Sequence, residues 1–207
     1  MTPPLRPGTP QDLDAAVDTL VAAFDDYPWT RHVIPEHDYT RRLRELQRLY
    51  LHHALNHGFV AVSERAEGVI ALLPPDAPEP GEAVRDRIIA LHGDRIGRLA
   101  DTGRHGDPRD WGLETLAVHP HHQGGGLGGA LIGFGLREAA RRGAGGVRLE
   151  TSEERNVGLY RRHGFRVVDR SHRPGGPPVW TMRAVPAADG GRDRQGRAAE
   201  AGSESRG

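Results

Sequence analysis

The chain has 207 residues, 36% of them hydrophobic, which suits one domain with a sizeable core. Its 28 basic residues balance 28 acidic ones, so no charge excess argues for nucleic acid or an anionic membrane. Every basic residue is arginine and there is neither lysine nor cysteine, which excludes a P-loop, a Schiff-base enzyme, a disulfide framework, a thiolate nucleophile and a cysteine zinc site. No apolar stretch approaches the roughly 20 residues of a membrane span. The opening "MTPPLRPGTP" lacks the basic and apolar regions of a signal peptide, and a cytoplasmic protein is expected.

Along the chain, Thr9 reads as an N-cap and Pro10 as the first position of a helix, with Leu13, Val17, Leu20, Val21 and Phe24 as its apolar stripe and an end near Pro28. A second helix is expected from about Tyr39 to Asn56, with Leu43, Leu46, Leu49, Tyr50 and Ala54 facing inward and Gly58 as its stop. "FVAVS" and "GVIALL", separated by "ERAE", read as an antiparallel hairpin. The proline-rich "PPDAPEPG" leads to a polar helix from about Glu82 to Leu99, and "DTGRHGDPRD" to a loop. "WGLETLAV" is a strand closed by His119 and Pro120. A glycine turn, a helix through Arg142, the strand "GVRLET" and the short helix "NVGLYRRHG" follow. "FRVVDRSH" and "VWTMRAV" close the chain as a hairpin across "RPGGPP". From about Pro186 the composition is Gly, Ala, Arg, Asp and Glu without periodicity. The domain is therefore expected to span 1–185, and 186–207 to be a disordered tail.

At the centre of this order lies "HPHHQGGGLGGAL", between a strand and the next helix. Glycine there gives up about 1 kcal/mol of helix stability per position relative to alanine, so bare backbone is needed. A strand, a glycine turn and a helix N-terminus together point free N–H groups at an anion, with the helix dipole adding to the field. The turn is built to hold phosphate. A dinucleotide fingerprint fits Gly124, Gly126 and Gly129 poorly, because the spacing is wrong and no repeated βαβ units surround it. A flexible linker is disfavoured by Leu127, Leu131 and Phe134, which start an apolar face directly after the glycines.

The run from Val118 through Gln123 and Gly124 to Gly128 resembles the Gln/Arg-x-x-Gly-x-Gly/Ala signature of the GNAT superfamily of acetyltransferases. The run "NVGLYRRHGF", from Asn156 to Phe165, resembles a second signature of that superfamily. The likeness covers roughly residues 5 to 185. It implies an α/β GNAT fold: a mixed central sheet whose central strands splay to bind acetyl-CoA, with helices on both faces. It implies that the amides of Gln123, Gly124, Gly125, Gly126, Leu127, Gly128 and Gly129 grip the pyrophosphate of acetyl-CoA as co-substrate. Leu116 and Val118 would hold the pantetheine arm by main-chain bonds, and Asn156 would face the thioester.

Acetyl transfer to an amine needs a neutral nucleophile, a polarised carbonyl and a proton for the departing thiolate. The resemblance assigns the proton to Tyr160, whose other reading is a packing tyrosine of the helix. Glu114 interrupts an otherwise apolar or neutral strand and is the candidate base, with Glu150 in reserve and a water-relayed route as the alternative. Tyr27, Trp29 and His32 crowd a proline-containing connection where the superfamily binds its acceptor, and aromatics there suit a flat aromatic molecule. Tyr50 and Trp180 are second candidates for that wall.

The histidine pair His53 and His57, and the cluster of His119, His121 and His122, lack a carboxylate at a ligand spacing, so no metal is expected. The expected function is N-acetylation of a small-molecule amine, of the aminonucleoside antibiotic type, by a monomer or homodimer with no nucleic-acid or membrane partner. Acetylation of a peptide or protein amine is the alternative, and a non-catalytic acyl-CoA sensor is the reading from another class.

Overall fold

The computed structural model describes residues 3–99, 107–172 and 175–186. A short strand β1 (Leu5–Pro7) precedes α1 (Leu13–Phe24), α2 (Pro28–Val33) and α3 (Tyr39–His57). Strands β2 (Phe59–Ser63) and β3 (Gly68–Leu73) follow, then α4 (Glu82–His92) and β4 (Asp110–Val118). The chain continues through α5 (Leu127–Arg141), β5 (Gly146–Thr151), α6 (Glu154–Arg162), β6 (Arg166–His172) and β7 (Pro178–Ala184). All seven strands form one sheet in the order β1-β2-β3-β4-β5-β7-β6. Among the described residues, only β4 and β5 run parallel.

Helices cover both faces, so the central strands are apolar on both sides. Every residue of β2 and all of β3 but Leu73 are buried. On one face α1 contributes Leu13, Val17, Leu20 and Val21, and α3 contributes Leu43, Leu46 and Ala54. On the other, α5 lays Leu127, Leu131 and Ile132 against the sheet, and α6 adds Val157 and Tyr160. Both helical stripes follow the 3.6-residue period of the sequence. The sheet ends at β6, which is almost wholly exposed.

Four features differ from the sequence expectation. Residues 5–7 form a strand, paired to β2 at Ala61, Val62 and Ser63. The first helix ends at Phe24, and Pro28 starts a separate six-residue helix, α2, instead of ending one. The polar helix stops at His92 and continues to Leu99 as 3-10 turns. Tyr50, expected to face inward, is 42% exposed. The expected tail lies, apart from Pro186, outside the described residues, as do most of the "DTGRHGDPRD" loop and Arg173 and Pro174 of the closing turn.

The parallel pairing of β4 with β5 involves only Asp110, Trp111 and Gly112, opposite Gly146, Val147 and Arg148. A bidentate ion pair fastens this short seam. From β7, Arg183 Nε lies 2.6 Å from Asp110 Oδ2 and Nη2 lies 2.7 Å from Oδ1, so the guanidinium reaches over β5 to the first residue of β4. It passes at Gly146, where a Cβ would strike both the carboxylate and the guanidinium.

The Asp110 side chain is 4% exposed and that of Arg183 is 29% exposed. Asp110→Ala strands a half-buried guanidinium, and the expected cost is about 2–3 kcal/mol, below the full penalty of a buried pair because Arg183 retains some water. Urea denaturation of parent and variant checks this. A loss below about 0.5 kcal/mol, the scale of an ordinary surface substitution, would show that the seam does not depend on the pair.

Candidate active site

Beyond Gly112, β4 continues to Val118 against β3, while β5 continues to Thr151 against β7. The two central strands therefore part, and past Gly112 the gap-side edge of β4 has no strand partner among the described residues. Opposite β3 the register shifts: Leu72 faces Leu113 and Ala71 faces Thr115, so Glu114 is the extra residue of a β-bulge. The bulge swaps the faces of the strand. Before it, Trp111 and Leu113 join the core under α5; after it, Ala117 joins the core under α1 and α3, while Leu116 and Val118 pack toward α5. Glu114 itself is exposed, two residues past the last β4–β5 pair.

The glycine turn sits at the far end of the same strand. Gln123 ties the turn back by donating from Nε2 to Val118 O at 3.0 Å. Gly124 (φ +81°) and Gly126 (φ +83°) occupy the left-handed region, where a side chain is strained. Gly126 is the N-cap of α5, and no side chain caps that helix. The first amides of α5 have no intrahelical acceptor, so the turn and the helix start offer N–H donors and positive dipole to an anion. A groove of about 860 Å³ runs from there along α5, lined by Gly126, Gly129 and Gly133 on one side and by Leu159, Arg162 and His163 on the other. Burial, with the Arg162 charge, lowers the His163 pKa, which favours a neutral ring. The donor-rich turn, the cationic Arg162 and the groove fit the phosphates and nucleotide of a CoA thioester, and the gap beside β4 fits its extended arm.

Across the gap, α6 carries Asn156 and Tyr160. Asn156 Nδ2 lies 3.4 Å from Thr151 Oγ1 and 3.4 Å from Glu153 Oε2, at the end of β5. Tyr160 is 6% exposed and packs edge-on against Phe165, with ring centroids 5.6 Å apart. Among the described residues its hydroxyl has no hydrogen-bond partner. Burial first, and then the neighbouring Tyr27, raise its pKa above the ordinary value of 10.0, so the phenol keeps its proton and can act as a donor.

The remaining candidates divide by position. Tyr27 closes the β5 end of the gap: its hydroxyl accepts from Ser152 N at 2.9 Å and lies 3.1 Å from Thr151 Oγ1. Trp29 and His32 lie on α2 with ring centroids 5.9 Å apart. Tyr50 lies on α3, where the Glu114 charge reaches it. Trp180 is 8% exposed in the core on the α6 face, opposite Thr151, with Arg170 over its ring. Glu150 forms a long ion pair with Arg148 at 3.9 Å. Glu114, Tyr50 and Tyr27 thus meet the gap from separate elements, while Trp180 backs β5 from the core.

Three residues near the gap were not singled out in the sequence. The hydroxyls of Thr115 and Ser152 are buried without a hydrogen-bond partner among the described residues, one beside the bulge on β4 and one just past β5. His92, at the end of α4, is 2% exposed and contacts both α2 and Tyr50. Thr115 sits in an otherwise apolar or neutral strand and His92 in a polar helix, and the place of both comes from tertiary neighbours. Ser152 had a signal: it follows the strand "GVRLET" directly before a helix start.

Residues 84–167 match the acetyltransferase (GNAT) domain family. Among solved structures, a Corynebacterium glutamicum protein described as histone acetyltransferase HPA2 and related acetyltransferase is 28% identical, with 90% of this chain and 98% of that chain covered and a TM-score of 0.72. Arylalkylamine N-acetyltransferase 2 from Aedes aegypti shares the fold at 15% identity, with 89% and 99% covered and a TM-score of 0.66. The ribosomal-protein-S18-alanine N-acetyltransferase of Escherichia coli shares it at 16% identity, with 92% and 97% covered and a TM-score of 0.52. The parted strands, the glycine turn and these matches show the GNAT fold, with residues 84–167 matching the acetyltransferase (GNAT) domain, a family whose co-substrate is acetyl-CoA.

Proposed function

We propose that this chain, with residues 1–185 as its catalytic domain, N-acetylates a small-molecule amine of the aminonucleoside type, with puromycin as the first compound of that class. The observation that carries this reading is the way α2 is fastened over the acceptor side. Arg95 Nη1 donates to Arg31 O at 2.8 Å and Ile34 O at 2.7 Å, Arg98 Nη1 donates to His32 O at 2.7 Å, and His92 Nδ1 meets Val33 O at 2.8 Å. A helix so held keeps Trp29, packed in part against the core, and His32 in fixed positions, and a rigid aromatic pair beside the acceptor would suit a compact flat molecule better than an extended peptide. Sequence likeness supports the substrate class: "AAFDDYPWTRH", "RELQRLYL", "LETSEERNVGLYRRHGF" and "PPVWTM" resemble puromycin N-acetyltransferase.

Acetyl-CoA supplies the activated thioester, and the chain supplies position and protons. The edge of β4 at Leu116 and Val118 holds the arm and offers N–H groups to the carbonyl as charge develops on it. Gln123 to Gly129 and α5 take the phosphates. Glu114, directly or through water, accepts the proton that the amine loses as its nitrogen bonds to the acetyl carbon. Tyr160 gives its proton to the sulfur as the carbon–sulfur bond breaks, with Asn156 beside the thioester.

Tyr160→Phe keeps the ring against Phe165 and removes the proton. Turnover is expected to fall by about 10²-fold, a usual size for loss of a general acid, with the melting temperature unchanged; turnover within twofold of the parent would reduce Tyr160 to packing. The parent's kcat/KM should rise with pH as the amine loses its proton. Because burial raises the Tyr160 pKa, it should show no phenol-dependent fall before about pH 10.

Gly126→Val places a β-branched side chain at a left-handed position where the phosphates approach. The KM for acetyl-CoA should rise at least tenfold with acceptor affinity unchanged, measured in parallel titrations of the two substrates. Acceptor affinity falling alone would move the phosphate site elsewhere. The substrate class itself is tested by following CoA thiol release from acetyl-CoA with puromycin. Release with puromycin supports the assignment, and release only with peptides or polyamines overturns it.

A further inference from the structure

Gly112 is the last residue of β4 that pairs with β5, opposite Arg148. Its φ is not left-handed, so no turn requires glycine there. Among the described residues, the three atoms nearest to a Cβ built on Gly112 are Oε1, Cδ and Cγ of Glu114, and Oε1 would be struck. The Glu114 side chain therefore folds back along β4 and lays its carboxylate over the bare rung.

The face on which this happens follows from strand alternation. Asp110 and Gly112 lie on one face of β4, and Gly146 and Arg148 on the same face of β5. Trp111, Leu113 and Val147 point the other way, into the core under α5. The first rung of the seam is crossed by the Arg183–Asp110 pair over Gly146, and the last is covered by Glu114 over Gly112. Arg148 rises from that last rung, one strand spacing of about 5 Å away. This is the face that carries α1, α3 and Trp29 of α2. The carboxylate thus sits where the strands part, on the side of α2 and away from α5.

We propose, resting on the reading of Glu114 as the base, that Gly112 is a positioning residue: its missing side chain seats the Glu114 carboxylate at the parting point, toward the amine on the α2 side. The amine's proton passes to that seated carboxylate, directly or through water, as the nitrogen bonds to the acetyl carbon. Gly112→Ala tests the seat, because its methyl group meets the far end of a flexible side chain, which can swing away.

The first measurement needs no substrate: melting temperatures of Gly112→Ala, Glu114→Ala and the double variant form a cycle with the parent. In the Glu114→Ala background, Gly112→Ala should raise the melting temperature, since alanine loses less backbone entropy on folding than glycine. In the parent background the displaced carboxylate should cancel that gain. An equal effect in both backgrounds overturns the seat. Gly112→Ala that folds only in the Glu114→Ala background supports it, and failure to fold in either shows that the backbone, not Glu114, requires the glycine.

The second measurement is kinetic. With an amine that releases CoA, Gly112→Ala should lower kcat about tenfold or more, the scale of a misplaced catalytic group, with the KM for acetyl-CoA unchanged. In the Glu114→Gln background it should cost nothing further. The same loss in that background, or a raised KM for acetyl-CoA with kcat unchanged, overturns the proposal by making Gly112 a packing residue. Glu114→Gln that turns over as fast as the parent removes the base and with it the catalytic half of the proposal, and the melting cycle then still decides whether Gly112 seats the carboxylate.

Discussion

Among the described residues, the strand pairing between the two halves of the sheet is three residues long, Asp110 to Gly112 against Gly146 to Arg148. The rest of the site follows from that short seam. If β4 and β5 stayed paired to their ends, the backbone edge from Leu113 to Val118 would be spent on sheet hydrogen bonds and nothing could enter between the strands. Three devices fix where the pairing stops. The Arg183–Asp110 pair fastens the closed end across β5, the Glu114 bulge re-aims β4 directly beyond it, and Tyr27 is bonded to the open end of β5. One helix then covers each side of the open end: α5 begins with the glycine turn after β4, and α6 carries Tyr160 after β5.

The proposed acceptor side is held by a different device. Helix ends leave carbonyls without partners, and here arginine side chains answer several of them. Arg95 and Arg98 bond the carbonyls at the end of α2. Arg42 reaches from α3 to Ala90 O and Leu91 O at the end of α4, at 3.1 and 2.7 Å. A guanidinium has five donors in a rigid fork and can serve two carbonyls at once, which an ammonium on a flexible stem does less well. In a chain without lysine, these forks lock α2, α3 and α4 into one support for Tyr50, His92 and the aromatic pair on α2. In the proposed reading the two sides of the gap thus differ: bare backbone and dipole take the phosphates, while braced side chains take the acceptor.

Most of this architecture was legible from periodicity. The stripes of α1, α3 and α5, the β2–β3 hairpin, and the strand, turn, helix and strand around the glycines all follow from local pattern and lie where expected. What escaped depends on distant partners. Leu5 to Pro7 is too short to show alternation and becomes a strand only because β2 offers an edge. Helix α2 is six residues long, with Pro28 as its one local signal, and hydrogen bonds from residues more than 50 positions later hold it. Tyr50 fits an inward helical position by spacing, yet it is 42% exposed, with its hydroxyl end toward His92 at 3.5 Å. At Glu114 the sequence showed a carboxylate in an apolar strand, but the bulge that sets its direction is visible only in the register with β3.

The central proposal is that the edge of β4 beyond its pairing with β5 and the glycine turn form one continuous site for acetyl-CoA. Amide hydrogen exchange, with and without acetyl-CoA, tests it most directly, because both stretches rely on backbone N–H groups. The account predicts that added protection concentrates in residues 113–118 and 124–129, with β1 and β2 unchanged. Protection confined to other elements, with the β4 edge and the turn exchanging as in the free protein, would contradict it.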